Sequence, residues 1–340
     1  MTEPSTHDIE MGDLLADVIA DARTRPATAD FELGQVYGGI VAGNEYLERI
    51  WSRETGPEQA RLDLHLTGEG VTGHTTSAKH LGAFARAISR AVKHVAKDAL
   101  GIGKYSENLL IEGMQPGSVR VVFRVPDQPI PANESPLAGT QASSQDSEAL
   151  RTTAMILAAA VESEALDDDV LSALIADLPP EARVAIKSAA TTAKASAWLI
   201  DGRLEQRGHD PERVSLNPMA AQKLISAVEN NPTAERKETL VGTLDGFSRA
   251  TGRAQIATTT GLVYVAVPDP ELMEKVADLA AERDTPIKAT ITVFETIAEG
   301  RSEAIRVSRR LDDIARRGPD PSQATIDDEI AQVYDDNQAI

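Results

Sequence analysis

The chain has 340 residues, room for about two or three domains, and its hydrophobic fraction of 41% supports packed cores and excludes a wholly disordered polypeptide. Aromatics are only 4%, so cores have to be built from Ala, Val, Ile and Leu; the absence of cysteine removes disulfides, thiolate metal sites and cysteine nucleophiles. The formal net charge of -19 disfavours nonspecific duplex binding by the whole chain, because phosphate contacts drive that affinity.

An N-terminal helical arm is expected over residues 1–58. Ile9 to Arg23 reads as an acidic amphipathic helix with Ile9, Leu14, Leu15, Val18 and Ile19 on its apolar side. A second helix is expected over Gly43 to Arg53, and Tyr37-Gly38-Gly39 argues against one continuous helix. The opening MTEPSTHDIEMGD is acidic and has no apolar core segment, so it does not read as a signal peptide.

Residues 60–126 read as a small βαββ module. Arg61-Leu62-Asp63-Leu64-His65-Leu66 alternates as a half-buried strand does. Gly68, Gly70 and Gly73 mark loop. Ser77 to Ala99 forms a helix with Leu81, Phe84, Ile88, Val92 and Val95 as its buried stripe. Asn108 to Glu112 and Ser118 to Val125 then make a hairpin, whose Pro116-Gly117 suits a type II turn. Residues 127–146, rich in Pro, Ser, Gln and Ala, read as a flexible linker.

An Ala-rich helical region is expected over 147–230, with helices at Glu148 to Ala165, Asp168 to Ala176, Pro180 to Arg207 and Pro218 to Val228. Its most apolar window, Ala154 to Val161, is far too short to span a bilayer. Strands follow at Leu240 to Phe247, with Gly242 at a bulge or bend, then at Arg253 to Thr258 and Leu262 to Val267. A helix covers Pro270 to Glu282, and strands four and five cover Ile287 to Ile297 and Glu303 to Ser308. Strand four alternates Ile287, Ala289, Ile291 and Val293 against Lys288, Thr290 and Thr292. The acidic stretch 318–340 reads as a mobile tail.

This order of strand, strand, strand, helix, strand, strand across 236–317 resembles a five-stranded OB barrel, whose helix sits between its third and fourth strands. The expected fold class is therefore α+β: a small βαββ module, an Ala-rich helical middle region and a C-terminal OB-like β-barrel.

Charge is unevenly spread. From Arg61 to Arg124 nine basic residues face five acidic ones, whereas 236–317 carries thirteen of each. Arg86, Arg90, Lys93 and Lys97 are spaced four, three and four apart, so they share one helix face that would meet phosphates, an acidic partner or only solvent. On the barrel, the ligand face would draw on Arg249, Arg253, Gln255, Tyr264 and Lys288, with Phe247 and Phe294 as stacking rings or as core.

Other motifs carry little. His80 and His94, fourteen positions apart on a helix, are too distant to share an ion, and Asp63, His65 and His74 lack metal-ligand spacing. Gly101-Ile102-Gly103-Lys104 fails as a phosphate loop and is better explained as a helix stop. No catalytic motif and no cofactor are implied.

The leading expectation is a cytoplasmic, non-enzymatic binding or regulatory protein, its Ala and Arg usage fitting a high-GC bacterial or phage coding bias. It would act on a protein or single-stranded nucleic-acid partner through the OB-like barrel and the basic helix, at Arg86, Arg90, Lys93, Lys97, Arg253, Tyr264 and Lys288. No membrane is involved, and homo-oligomers remain open. The alternatives are an acidic decoy of a nucleic-acid-binding protein and an enzyme whose site is assembled from scattered residues.

Overall fold

A computed structural model describes residues 5–102, 105–112, 119–127, 144–162, 168–282, 285–297 and 304–317. They fall into two compact units, one within 1–99 and 106–232, the other within 100–105, 233–297 and 301–340. The expected tail at 318–340, the turn at Pro116-Gly117 and most of the expected linker lie outside the described residues.

The first unit begins with α1 (Thr6–Arg23), α2 (Ala29–Val36), a π-helical turn (Tyr37–Val41) and α3 (Glu45–Thr55). Ser5 and Asp8 close a capping box on α1, and Asn44 caps α3 by accepting from the Tyr46 and Leu47 amides. Leu15, Ile19, Val41, Leu47 and Ile50 form a small core of their own. The apolar side expected for α1 is only half used. Leu15 and Ile19 are buried, but Ile9, Leu14 and Val18 stand exposed, because α3 covers only the arc through Gly12, Leu15, Ile19 and Ala22.

β1 (Arg61–Gly68) leads through a two-residue hairpin, β2 (Val71–Thr72) and β3 (Thr75–Thr76), to α4 (Ala78–Ala99); β4 (Leu110–Glu112) and β5 (Val119–Arg124) follow. After α5 (Gln145–Glu162), α6 (Asp168–Ala176) and α7 (Pro180–Ala195) come β6 (Trp198–Glu205), β7 (Glu212–Leu216) and α8 (Pro218–Glu229). One antiparallel sheet runs β4-β5-β1-β6-β7.

Two expectations are corrected here. The helix expected over Pro180 to Arg207 ends at Ala195, where Ser196 caps it and Ala197 turns left-handed at φ 47°. Trp198-Leu199-Ile200-Asp201-Gly202-Arg203-Leu204 then alternates buried and outward as β6. The βαββ elements are therefore joined to the helical middle by a shared sheet, since Leu64 of β1 pairs with Val121 on one side and Gly202 on the other.

Leu62, Leu64 and Leu66 point to the covered face of that sheet. α5 lies against β1 and β7, α7 against β6, and α4 packs on α5 and α7. α4 and α7 pack together and each buries alanines, Ala87 and Ala91 on one and Ala185 and Ala189 on the other, small residues that let two helices approach closely. Phe84 of α4 meets Trp198 edge-on at 5.9 Å. The other face carries charge: Arg61, Asp63, His65, Arg120, Arg124, Asp201, Arg203 and Arg213, laced by ion pairs from Asp63 to Arg120, Arg61 to Glu112 and Asp201 to Arg213.

The second unit is a closed barrel of β8 (Thr233–Ser248), β9 (Arg253–Thr258), β10 (Gly261–Ala266), β11 (Pro286–Ile297) and β12 (Ala304–Arg316), with α9 (Pro270–Ala281) between β10 and β11. Around the ring the order is β8-β9-β10-β12-β11. All neighbours are antiparallel except β10 and β12, joined in parallel at Ala266 and Arg310.

Leu244, Ala254, Ile256, Val265, Ile287, Ala289, Ile291, Val293, Leu311 and Ile314 fill the interior, and α9 adds Val276 and Leu279. β8 starts earlier and β12 ends later than expected. Gly242 is not at the bulge, which falls at Asp245. It sits where two backbones close in, since a methyl there would meet the Ala257 carbonyl oxygen at 2.0 Å.

Candidate functional site

Pleating decides what the barrel shows to solvent. On β10 Val263 and Val265 face inward, so Leu262 and Tyr264 face outward, 44% and 46% exposed. On β9 Ala254 and Ile256 take the interior, which sends Arg253 and Gln255 out. Gln255 stands opposite Tyr264, and the Arg253 guanidinium lies over the Tyr264 ring, 5.3 Å from its centroid. Gly101, turned left-handed at φ 62° as a helix stop requires, approaches the same guanidinium; a methyl there would meet Nη1 at 2.5 Å.

A second pair repeats the motif. Phe294 alternates with the inward Val293 of β11, and Arg310 of β12 lies 5.1 Å over its ring. The two pairs are related through the parallel bridge where the barrel closes. Arg253 is directly opposite Ala266, and Ala266 directly beside Arg310, so the three side chains form one outward row. Strand spacing sets the two arginine Cα atoms about 10 Å apart with only a methyl between them. Beside Arg310, a groove of about 720 Å³ runs between α9 and β12, lined by Asp269, Glu271, Leu272, Lys275, Leu311 and Asp312.

Among the other expected site residues, Lys288 is exposed on β11 but pairs with Val241, two strands from β9 and toward the end away from Arg253. Phe247 packs on the barrel core. Arg86, Arg90, Lys93 and Lys97 share the solvent side of α4: Arg86 and Arg90 are exposed, and Lys93 pairs with Glu107 at 3.6 Å. They lie in the other compact unit from Arg253 and Tyr264. Arg310 was missed from sequence because it falls beyond the expected end of strand five.

The histidines are placed individually. His80 Nδ1 and Ser196 Oγ are hydrogen-bonded at 2.7 Å. His94 is half-buried, and its ring is held below the ordinary imidazole range by burial, against the pull of Glu181. Asp63 is taken by Arg120, whose Nε donates to Oδ1 at 2.7 Å. Among the described residues no three His, Asp or Glu side chains converge as a metal site, and no helix is long and apolar enough to cross a membrane.

These features define an α+β protein with a closed five-stranded barrel and an arginine–aromatic row on its outer wall. No protein-family model, curated protein or solved structure matches the chain.

Proposed function

We propose that the barrel is of the OB type and that this is a non-enzymatic binding protein taking single-stranded nucleic acid across β9, β10 and β12. The ring order, with its one parallel contact between third and fifth strands and its helix after the third, supports the OB reading. The observation that carries the function is the row Arg253, Ala266, Arg310, with Tyr264 and Phe294 under the two guanidinium groups. Rings supply stacking of about 1–3 kcal/mol per base, arginines supply phosphate contact, and the small Ala266 leaves the strand room to pass.

The test is fluorescence anisotropy with a labelled oligothymidine of roughly 15 nucleotides across a salt series. Because 236–317 carries equal numbers of each charge, the salt slope should be shallow. Tyr264→Ala and Arg310→Ala should each weaken binding about tenfold, and Lys288→Ala by less than twofold. A steep slope, abolished by reversing Arg86, Arg90, Lys93 and Lys97, would move the contact to α4.

A second reading rests on the exposed Leu262 and Val241, apolar neighbours of Tyr264's wall, which suit a protein partner. No binding of the oligonucleotide at low salt would leave that reading in place.

A further inference from the structure

The N-terminal arm carries a different surface. Ile9, Leu14 and Val18 of α1, Phe31 of α2, and Tyr37 and Ile40 of the π-helical turn are all exposed, Phe31 at 72%. α2 has eight residues and buries none of them. So short a helix draws its stability from packing: Leu33 and Val36 lie against the arm's small core, which leaves Phe31 to solvent. On α1, a 3.6-residue period puts Glu10, Leu14, Asp17, Val18 and Asp21 on one exposed arc, next to the arc buried against α3.

On α1, Leu14 and Val18 thus stand among carboxylates. Asp21 and Glu32 share Arg25, while Asp13 and Asp17 have no ion-pair partner among the described residues. A second copy of the arm would press this fringe against itself. The basic face of α4 offers Arg86 and Arg90, but the apolar stripe of that helix is already buried in its own unit.

We propose that the arm docks a basic amphipathic helix of another protein, its apolar side seated on Leu14, Val18 and Phe31 and its Lys or Arg residues facing Glu10, Asp13 and Asp17. The fit is one of opposite patterns, which gives orientation and rate as well as affinity.

The probe is a synthetic helix of about 20 residues built of Leu and Lys with leucines at helical spacing, compared with a scrambled peptide of the same composition. Titration by calorimetry on the full chain should give a Kd on the order of micromolar for the patterned peptide and at least about tenfold weaker binding for the scrambled one. Two variants, Leu14→Ser with Val18→Ser and Glu10→Lys with Asp17→Lys, should each weaken binding about tenfold. These side chains are exposed, so unchanged far-ultraviolet circular dichroism will confirm that the arm still folds. Tyr264→Ala, on the barrel, should leave the peptide affinity unchanged.

Equal binding of the two peptides, equal binding by wild type and both variants, or no binding at millimolar peptide overturns the proposal. So does sedimentation equilibrium showing wild-type dimers that Leu14→Ser with Val18→Ser abolishes, since that assigns the face to a second copy.

Discussion

Asp63 shows how a single charged pair on an open sheet couples to pH. The guanidinium of Arg120 hydrogen-bonds both carboxylate oxygens and holds the Asp63 carboxyl below its ordinary value, with burial working in the opposite direction. A carboxyl whose folded pKa lies below its unfolded one contributes stability that is full above the usual carboxylate range and lost as pH falls through it. Asp63→Asn should therefore lower the melting temperature at neutral pH, and the gap from wild type should close as pH falls through and below the ordinary carboxylate range in a thermal-melt series. The residues of the barrel wall were less legible. Leu262, Val263 and Val265 are all apolar, so alternation alone left the facing of Tyr264 open until the register fixed it. Arg310 was hidden by the bulge in β12: Ile291 pairs with Leu311 and Thr290 with Asp313. That places Leu311 and Ile314 inside at a spacing of three, which interrupts the two-residue period of a strand.

Elements with one clean periodicity were readable. β9 and α6 have the expected limits, and α4, α9 and β11 fall within a residue of theirs, because pleat or helical period and caps agree in each. β6 was lost inside an alanine-rich run: no Pro or Gly stands between Ala182 and Trp198, and the break is made by Ala197 in a conformation that alanine rarely adopts. β6 also contains a close backbone approach, where a methyl on Gly202 would lie 2.1 Å from the Asp63 carbonyl oxygen. Gly202→Ala should cost about 1–3 kcal/mol in urea denaturation, the range for overpacking. Gly82, in the second turn of α4 with nothing within 4 Å of an added methyl, makes the opposite case. Gly82→Ala should raise stability by about 0.4–1 kcal/mol through the unfolded chain.

At the scale of the molecule, composition points to a cut site but not to the architecture around it. Limited proteolysis should nick first within 127–146, where Pro, Ser and Gln predominate. The two fragments should nevertheless co-elute on gel filtration. β1 is hydrogen-bonded to β5 before the cut and to β6 after it, and Gln59 accepts hydrogen bonds from the Ser144 amide and the Ser147 hydroxyl. Separate elution would show that the shared sheet does not hold them. The division of charge was legible in the same way, as blocks along the chain. The partition into two units was not, since it depends on which strands find each other across long separations.

The central place of β1 in its sheet also has a history in time. During synthesis, Arg61 to Gly68 leaves the ribosome with β5 soon after it, but the strand that covers its other edge, from Arg61 opposite Glu205 to Gly68 opposite Trp198, is not yet made. Until it is, the leucine-rich β1 presents a bare row of amides and carbonyls, the template on which strands from other nascent chains add.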